Sequence, residues 1–275
     1  NPFRIILEDG EHMIGDGEPV FTVKINKVPK MTDMLTSTSI TLGEAYMNGD
    51  IEIEGDLYTA LNMFLGQMGK FSTDKKKLKN IIFTSKSKAN QKKEVSSHYD
   101  IGNDFYKMWL DETLSYSCGY FKNDNDTLYQ AQCNKVDRIL EKLNLSENMT
   151  LCDIGCGWGF LLIEAAKKYK INGVGITLSK EQKAKFEQRI KDEGLSERLE
   201  VKLLDYRDLP KLNKKFDRVV SVGMIEHVGR GNYEEFMQCV KSVLKPGGIF
   251  VLHFISSLKE YPGDAWVKKY IFPGG

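Results

Sequence analysis

The 275-residue chain has no hydrophobic run long enough to span a bilayer, which excludes an integral helical membrane protein. Cysteine is scarce and poorly arranged for structural use. Cys118, Cys133, Cys152, Cys156 and Cys239 are odd in number and include no Cys-x-x-Cys pair. Neither a disulfide framework nor a zinc site is therefore expected, and a reducing, cytoplasmic compartment is. No metal site is read from the rest of the chain. Excess charge is missing too: 39 Lys+Arg face 38 Asp+Glu, a net charge of +1, which argues against a dedicated nucleic-acid binder. No cleavable leader is expected at the opening, where Asn1 stands in place of Met as a trimmed start would leave it. What remains is 41% hydrophobic and 28% charged, an ordinary globular composition with length for one large domain or two smaller ones.

The texture changes twice along the chain. Residues 1–70 mix short β-like runs, Phe3 to Leu7 and Phe21 to Ile25, with Gly and Pro turns and then a helical pattern. Asp56 can cap a helix whose Leu57, Leu61, Phe64, Leu65 and Met68 recur on one face. A small α+β domain for packing or interaction is expected here. Residues 71–95 form a Lys-rich linker: between Lys70 and Lys93 nine lysines face one Asp. Such a run is either a solvated connector or a contact for an anionic surface, and the two are compatible.

From Ser96 to Gly275 strands and helices alternate. Strands are expected at Thr150 to Ile154, Ile171 to Thr177, Leu199 to Leu204, Phe216 to Val222 and Gly248 to His253. Helices are expected at Phe160 to Lys168, Ser179 to Asp192 and Asn232 to Leu244. This alternation predicts an α/β fold, a doubly wound and mostly parallel sheet covered on both faces.

The sharpest local signal is Asp153-Ile154-Gly155-Cys156-Gly157-Trp158-Gly159, set between a strand and a helix. Glycines there let the backbone turn tightly and approach a ligand that side chains would obstruct. In a doubly wound sheet that turn is where a nucleotide-like ligand sits, although a tight turn alone would use the same residues. The spacing differs from the dinucleotide pattern. No acid ends the next strand, Gly175-Ile176-Thr177-Leu178-Ser179, where a ribose acid would stand, and Gln182 one turn into the following helix is the substitute donor.

Asp-x-Gly-x-Gly-x-Gly resembles the motif of class I S-adenosylmethionine-dependent methyltransferases. Further segments narrow the resemblance. Upstream are Ser97-His98-Tyr99-Asp100-Ile101-Gly102-Asn103-Asp104-Phe105-Tyr106 and Tyr116-Ser117-Cys118-Gly119-Tyr120-Phe121. Downstream are Thr177-Leu178-Ser179-Lys180-Glu181-Gln182, Asp205-Tyr206-Arg207-Asp208, Met224-Ile225-Glu226-His227-Val228-Gly229 and Tyr270-Ile271-Phe272-Pro273-Gly274-Gly275. In this order they resemble the cyclopropane-fatty-acyl-phospholipid synthase family, related to the mycolic acid cyclopropane synthases. Leu42-Gly43-Glu44-Ala45-Tyr46-Met47-Asn48-Gly49-Asp50 extends the likeness into the N-terminal unit.

The resemblance implies methylene transfer from S-adenosylmethionine to the cis double bond of unsaturated phospholipid acyl chains. The carbocation so formed would be deprotonated by a bound bicarbonate ion in a water-free, greasy pocket. It implies Cys118, Glu226, His253 and Ile255 at the bicarbonate, the cysteine and isoleucine through backbone N–H groups. For the cofactor it implies Tyr116 and Ser117 near the methionine end, with Asp153, Gly155 and Gly157 along the turn. Thr177, Leu178 and Gln182 would flank the ribose, and Asp205 and Tyr206 the adenine. Read without the resemblance, Cys118 is a small buried hydrophobe, His253 a core histidine, and Glu226 and His227 capping or surface residues.

The family also implies a peripheral enzyme on the inner membrane face and a homodimer. Its chains run well past Phe272-Pro273-Gly274-Gly275, to a tyrosine that completes the bicarbonate site, so a catalytic domain cut short and an incomplete acyl pocket are expected. Two other functions share the pattern: C-methylation of a different lipid or small molecule, and non-catalytic lipid binding with a vestigial cofactor pocket.

Overall fold

A computed structural model describes residues 1–65, 102–256, 258 and 264–272. The Lys-rich stretch, the expected domain boundaries near 70 and 96, the segment Ser97 to Ile101, and Met68 lie outside the described residues, as do the closing Pro273-Gly274-Gly275.

The described residues fall into two units, one holding 1–65 with 264–272 and the other holding 102–256. In the first, strands β1 (Phe3–Leu7), β2 (Gly10–Ile14), β3 (Phe21–Ile25) and β4 (Ile51–Gly55) form a sheet in the order β2-β1-β3-β4, with β1 and β3 parallel and the outer pairs antiparallel. Helices α1 (Met31–Thr36) and α2 (Thr38–Met47) bridge β3 and β4, and α3 (Leu57–Leu65) follows β4.

Asp56 caps α3 as expected, accepting from the Tyr58 N–H at 3.0 Å and from the Thr59 hydroxyl. The buried face of α3 is rotated from the expected one. Ala60, Met63 and Phe64 meet Phe3, Phe21 and Val23 of the sheet, while Leu57 and Leu61 are exposed. The helical period is right, but fully buried Ala60 lets the helix sit close and turns the leucines outward.

The sequence reading runs the second domain on to Gly275, whereas residues 264–272 make their contacts with the first unit. They carry α10 (Ala265–Tyr270), which packs on α2. The Trp266 indole lies so close over Gly43 that an added Cβ would stand 2.4 Å from it, and Glu44 accepts from Tyr270 Oη at 2.7 Å and from Lys269 Nζ.

In the second unit, β5 (Thr150–Ile154), β6 (Asn172–Thr177), β7 (Leu199–Leu203), β8 (Phe216–Val222) and β9 (Leu244–His253) form an all-parallel sheet in the order β7-β6-β5-β8-β9. Helices cover both faces, as the doubly wound reading requires. On one face α5 (Leu128–Leu143), α6 (Phe160–Tyr169) and α7 (Lys180–Asp192) bury Leu140, Leu162 and Phe186 against Leu151 and Val220. On the other, a 3₁₀ turn (Tyr206–Leu212), α8 (Ile225–Val228) and α9 (Tyr233–Val243) bury Leu209 and Phe236 against Cys152, Ile154 and Val219. Alternation of β5 side chains between the two cores follows from the strand period of two. The order reverses at β5, so its carboxyl end opens onto the crevice where such sheets hold ligands.

Among the described residues no helix is long and apolar enough to cross a membrane.

Candidate functional site

A cavity opens at the carboxyl ends of β5, β6 and β8. Every residue expected to hold the nucleoside cofactor lines it: Tyr116, Ser117, Asp153, Gly155, Gly157, Thr177, Leu178, Gln182, Asp205 and Tyr206. The turn after β5 is fixed by paired bonds, the N–H groups of Gly155 and Cys156 both donating to the Ile176 carbonyl at 3.0 Å. Two of its glycines serve different ends. Gly157 (φ +54°) has no atom within 4 Å of where a Cβ would stand, so this side of the turn faces open space. At Gly159 (φ +84°) a Cβ would lie 2.1 Å from the Phe186 ring, so this glycine exists to let α7 pack against the turn.

The wall at β6 and β7 is polar and pre-arranged. Thr177 Oγ1 donates to Gln182 Oε1 at 2.7 Å, which orients the amide, and the Ser179 side chain caps α7 by accepting from Gln182 N–H at 3.2 Å. Asp205 is buried and bidentate with Arg207, Nε to Oδ1 and NH2 to Oδ2, both at 2.8 Å. Oδ1 also accepts the Arg207 backbone N–H at 3.0 Å, so an incoming amino group meets a carboxylate already fixed in place with its open acceptor position on Oδ2.

Asp153 is 3% exposed and its Oδ1 has no hydrogen-bond partner. Burial alone pushes its carboxyl up to about 7. A group held at this cost beside a cavity is suited to pair with a cationic ligand atom.

The segment Thr113 to Ser117 forms the opposite wall and is held by α5. The N-terminus of α5 carries a reciprocal capping box between Thr127 and Gln130. Gln132 Nε2 donates to the Ser117 carbonyl at 2.9 Å, and Lys135 Nζ donates to Ser117 Oγ at 2.7 Å. Sequence reasoning missed α5 altogether, although Thr-x-x-Gln before an apolar period marks it. Trp158 was passed over as well. It is buried, its ring centroid lies 5.0 Å from that of Tyr106 at a tilt of 59°, and it donates from Nε1 to Asn103 Oδ1 at 2.6 Å, which ties the family-like segment at α4 (Asn103–Lys107) to the glycine turn.

Three of the residues expected at the bicarbonate come together beside the cavity. Because β8 and β9 pair with Val222 opposite His253, α8 and the end of β9 are neighbours. Glu226 Oε1 accepts from the Ile255 N–H at 2.8 Å, so that N–H is already engaged. Glu226 Oε2 and His253 Nδ1 are both buried without a partner. Burial, then the positive charge of Lys135, lowers the His253 imidazole, while Glu226 pulls it the other way. His227, next to Glu226, instead lines the cofactor cavity.

Cys118 is exposed, so it is not the small buried hydrophobe that composition alone would make it, and its thiol donates to the adjacent Gly119 carbonyl at 3.5 Å. It is close enough to influence Lys135, yet no hydrogen bond joins it to Glu226 or His253 among the described residues.

A family model described as mycolic acid cyclopropane synthetase matches residues 86–275, and one for a domain of unknown function matches residues 1–76. The chain is 38% identical over 282 residues to a probable fatty acid methyltransferase of Pseudomonas putida, covering 100% of this chain and 71% of the relative. It is 41% identical over 248 residues to the cyclopropane-fatty-acyl-phospholipid synthase of Escherichia coli K12, covering 88% of this chain and 63% of that protein. A solved structure of mycolic acid cyclopropane synthase CmaA1 complexed with SAH and CTAB superposes with a TM-score of 0.56 at 38% identity, over 58% of this chain and 55% of that one. With two-thirds of its length matched by the family model, its parallel sheet in the same fold class and its motifs gathered at one crevice, the chain belongs to the mycolic acid cyclopropane synthetase family.

Proposed function

We propose that this chain carries the cofactor and proton-handling machinery of a cyclopropane synthase that acts on unsaturated phospholipid acyl chains at a membrane surface. The observation that carries the reading is the juxtaposition of the cavity at the ends of β5, β6 and β8, lined by Asp153, Gln182 and Asp205, with the buried, unpartnered Glu226 Oε2 and His253 Nδ1. The donor set fits S-adenosylmethionine: Asp205 for an exocyclic amino group, Gln182 for ribose hydroxyls, and Asp153 for the ammonium of the amino-acid end. The bound CmaA1 complex, which holds SAH, supports the same assignment. When bound, S-adenosylmethionine supplies an electrophilic methyl group.

Glu226 and His253 also fit a small oxyanion that shares a proton with them, since one buried acceptor and one ring nitrogen lack partners. Bicarbonate is such an ion, and when bound it supplies a base for the new methyl group. Glu226 is held in orientation by Ile255, and burial biases His253 toward its neutral form, so the imidazole can take up a proton without moving far.

The direct test incubates the full-length protein with S-adenosylmethionine and vesicles of an unsaturated phospholipid, then weighs the acyl chains by mass spectrometry. A gain of one methylene with cyclopropane ring protons in the NMR spectrum is expected. Unmodified lipid, despite cofactor binding, overturns the reading. Methyl-branched product would favour the second reading, C-methylation of fatty acyl chains, which the likeness to the Pseudomonas putida fatty acid methyltransferase supports.

A further inference from the structure

Helix α5 brings a lysine to a place where lysines are seldom found. Lys135 is 5% exposed and lines the cavity, yet no carboxylate stands within ion-pair distance of it among the described residues. Its one hydrogen bond there is to Ser117 Oγ. Removing an ammonium from water costs several kcal/mol unless charge and hydrogen bonds offset it, and a single hydroxyl does not. Its neighbours on α5, Val136, Ile139 and Leu140, are core residues, so packing alone calls for an apolar side chain at this turn. The cost points to a partner that arrives from the cavity.

Position says which part of a ligand that partner is. Gln182 and Asp205 stand at the ends of β6 and β7, the nucleoside side. Lys135 stands on the other side, where α5 meets β9 and its charge reaches His253. Because Ser117 Oγ accepts from Lys135, its own hydroxyl hydrogen is directed elsewhere. A zwitterionic amino-acid end needs one group of each sign, and the cavity has both: Asp153 with an unpartnered oxygen, and Lys135, on which Asp111 acts only through its charge and with which no carboxylate makes an ion pair among the described residues.

We propose that Lys135, with the Ser117 hydroxyl as second donor, receives the α-carboxylate of the nucleoside cofactor. The assignment rests on the cofactor reading given above. It makes Lys135 a binding residue, whereas a purely structural lysine would only hold the Tyr116-Ser117 segment in place.

Three ligands separate the cases by calorimetry on the full chain: S-adenosylhomocysteine, its analogue lacking only the carboxylate, and 5′-methylthioadenosine, which lacks the whole amino-acid end. The native protein is expected to prefer S-adenosylhomocysteine over the decarboxylated analogue by about ten- to a hundredfold, the range for a charged hydrogen-bonded contact. Lys135→Met is expected to abolish that preference and leave 5′-methylthioadenosine binding unchanged, and Lys135→Arg to retain the preference. Equal affinity of the native protein for the first two ligands overturns the assignment, and needs no variant to fold. Equal loss of all three ligands in Lys135→Met overturns it in favour of a structural role. If the native protein binds none of the three, the cofactor reading itself fails and the assignment falls with it.

Discussion

Oε1 of Glu226 accepts the backbone N–H of Ile255 at 2.8 Å, which ties the helix after β8 to the segment after β9. The bond fixes the carboxylate and leaves its second oxygen, Oε2, buried and unpartnered. Glu226→Gln keeps the shape and can still accept from Ile255 while losing the charge. Methylene transfer is expected to fall by about two to three orders of magnitude. Binding of S-adenosylhomocysteine, measured by calorimetry, stays within about twofold, because Glu226 does not line that cavity. A matching loss of cofactor affinity would remove Glu226 from the proton-handling role.

Asp153 sets stability against function. Its folded-state value near 7 lies above the roughly 3.9 of an unfolded aspartate, so the ionised form is the one disfavoured by folding. The contribution of Asp153 to stability is therefore most favourable below about pH 4, declines between about 4 and 7, and is flat above. Asp153→Asn is expected to unfold at a higher denaturant concentration than the native protein at pH 8, by on the order of a few kcal/mol. The gap should shrink as the pH falls toward 4, and the variant should bind S-adenosylhomocysteine more weakly. A variant less stable at pH 8 would contradict this.

Gly157 and Gly159, two residues apart, should respond differently to alanine. Gly159→Ala drives a methyl group into the Phe186 ring and strains a backbone at φ +84°, so a loss of about 2–4 kcal/mol is expected. Gly157→Ala meets no protein atom and carries only the strain of φ +54°, about 1 kcal/mol. Its larger effect should appear in S-adenosylhomocysteine affinity. Thermal unfolding and ligand titration of both variants check the pair.

Asp217 acts in the opposite sense to Asp153. Burial pushes its carboxyl up, but hydrogen bonds from Lys245 and from the Thr150 hydroxyl and N–H, with the Lys245 charge, hold it well below the usual carboxylate range. Its contribution is present above the unfolded value of about 3.9 and is lost as the pH falls below it. Asp217→Asn is expected to cost about 1–3 kcal/mol at pH 7 and to narrow the stability difference between pH 7 and pH 3. Chemical denaturation at the two pH values measures both.

The second unit was legible where local pattern and tertiary packing agree. The β5 strand, the glycine turn and α6 could be read because the apolar period switches from two to 3.6 across the glycines. Helix α5 escaped because its 16 residues are polar on average, and a lysine inside such a stretch reads as solvated. Nothing local distinguishes Lys135 from the surface lysines around it. Glu226, His253 and Ile255 meet only because β8 and β9 are parallel neighbours, which brings Glu226 to Ile255 across 29 residues, a contact that family likeness could suggest and periodicity could not. On α3 the period was right and the facing stripe wrong, since an alanine that permits close approach adds little to an apolar pattern.

The seat of Trp266 on Gly43 makes the small domain a composite of chain segments separated by more than two hundred residues. A cut where the chain first passes from the first unit to the second would leave α10 on the carboxyl-side fragment, where Glu44 on the other fragment would still grip it. The two pieces are thus expected to behave as complementing fragments. Expressed without residues 264–272, the first unit would be a domain with a helix-shaped gap, and any attempt to transplant it must carry both segments.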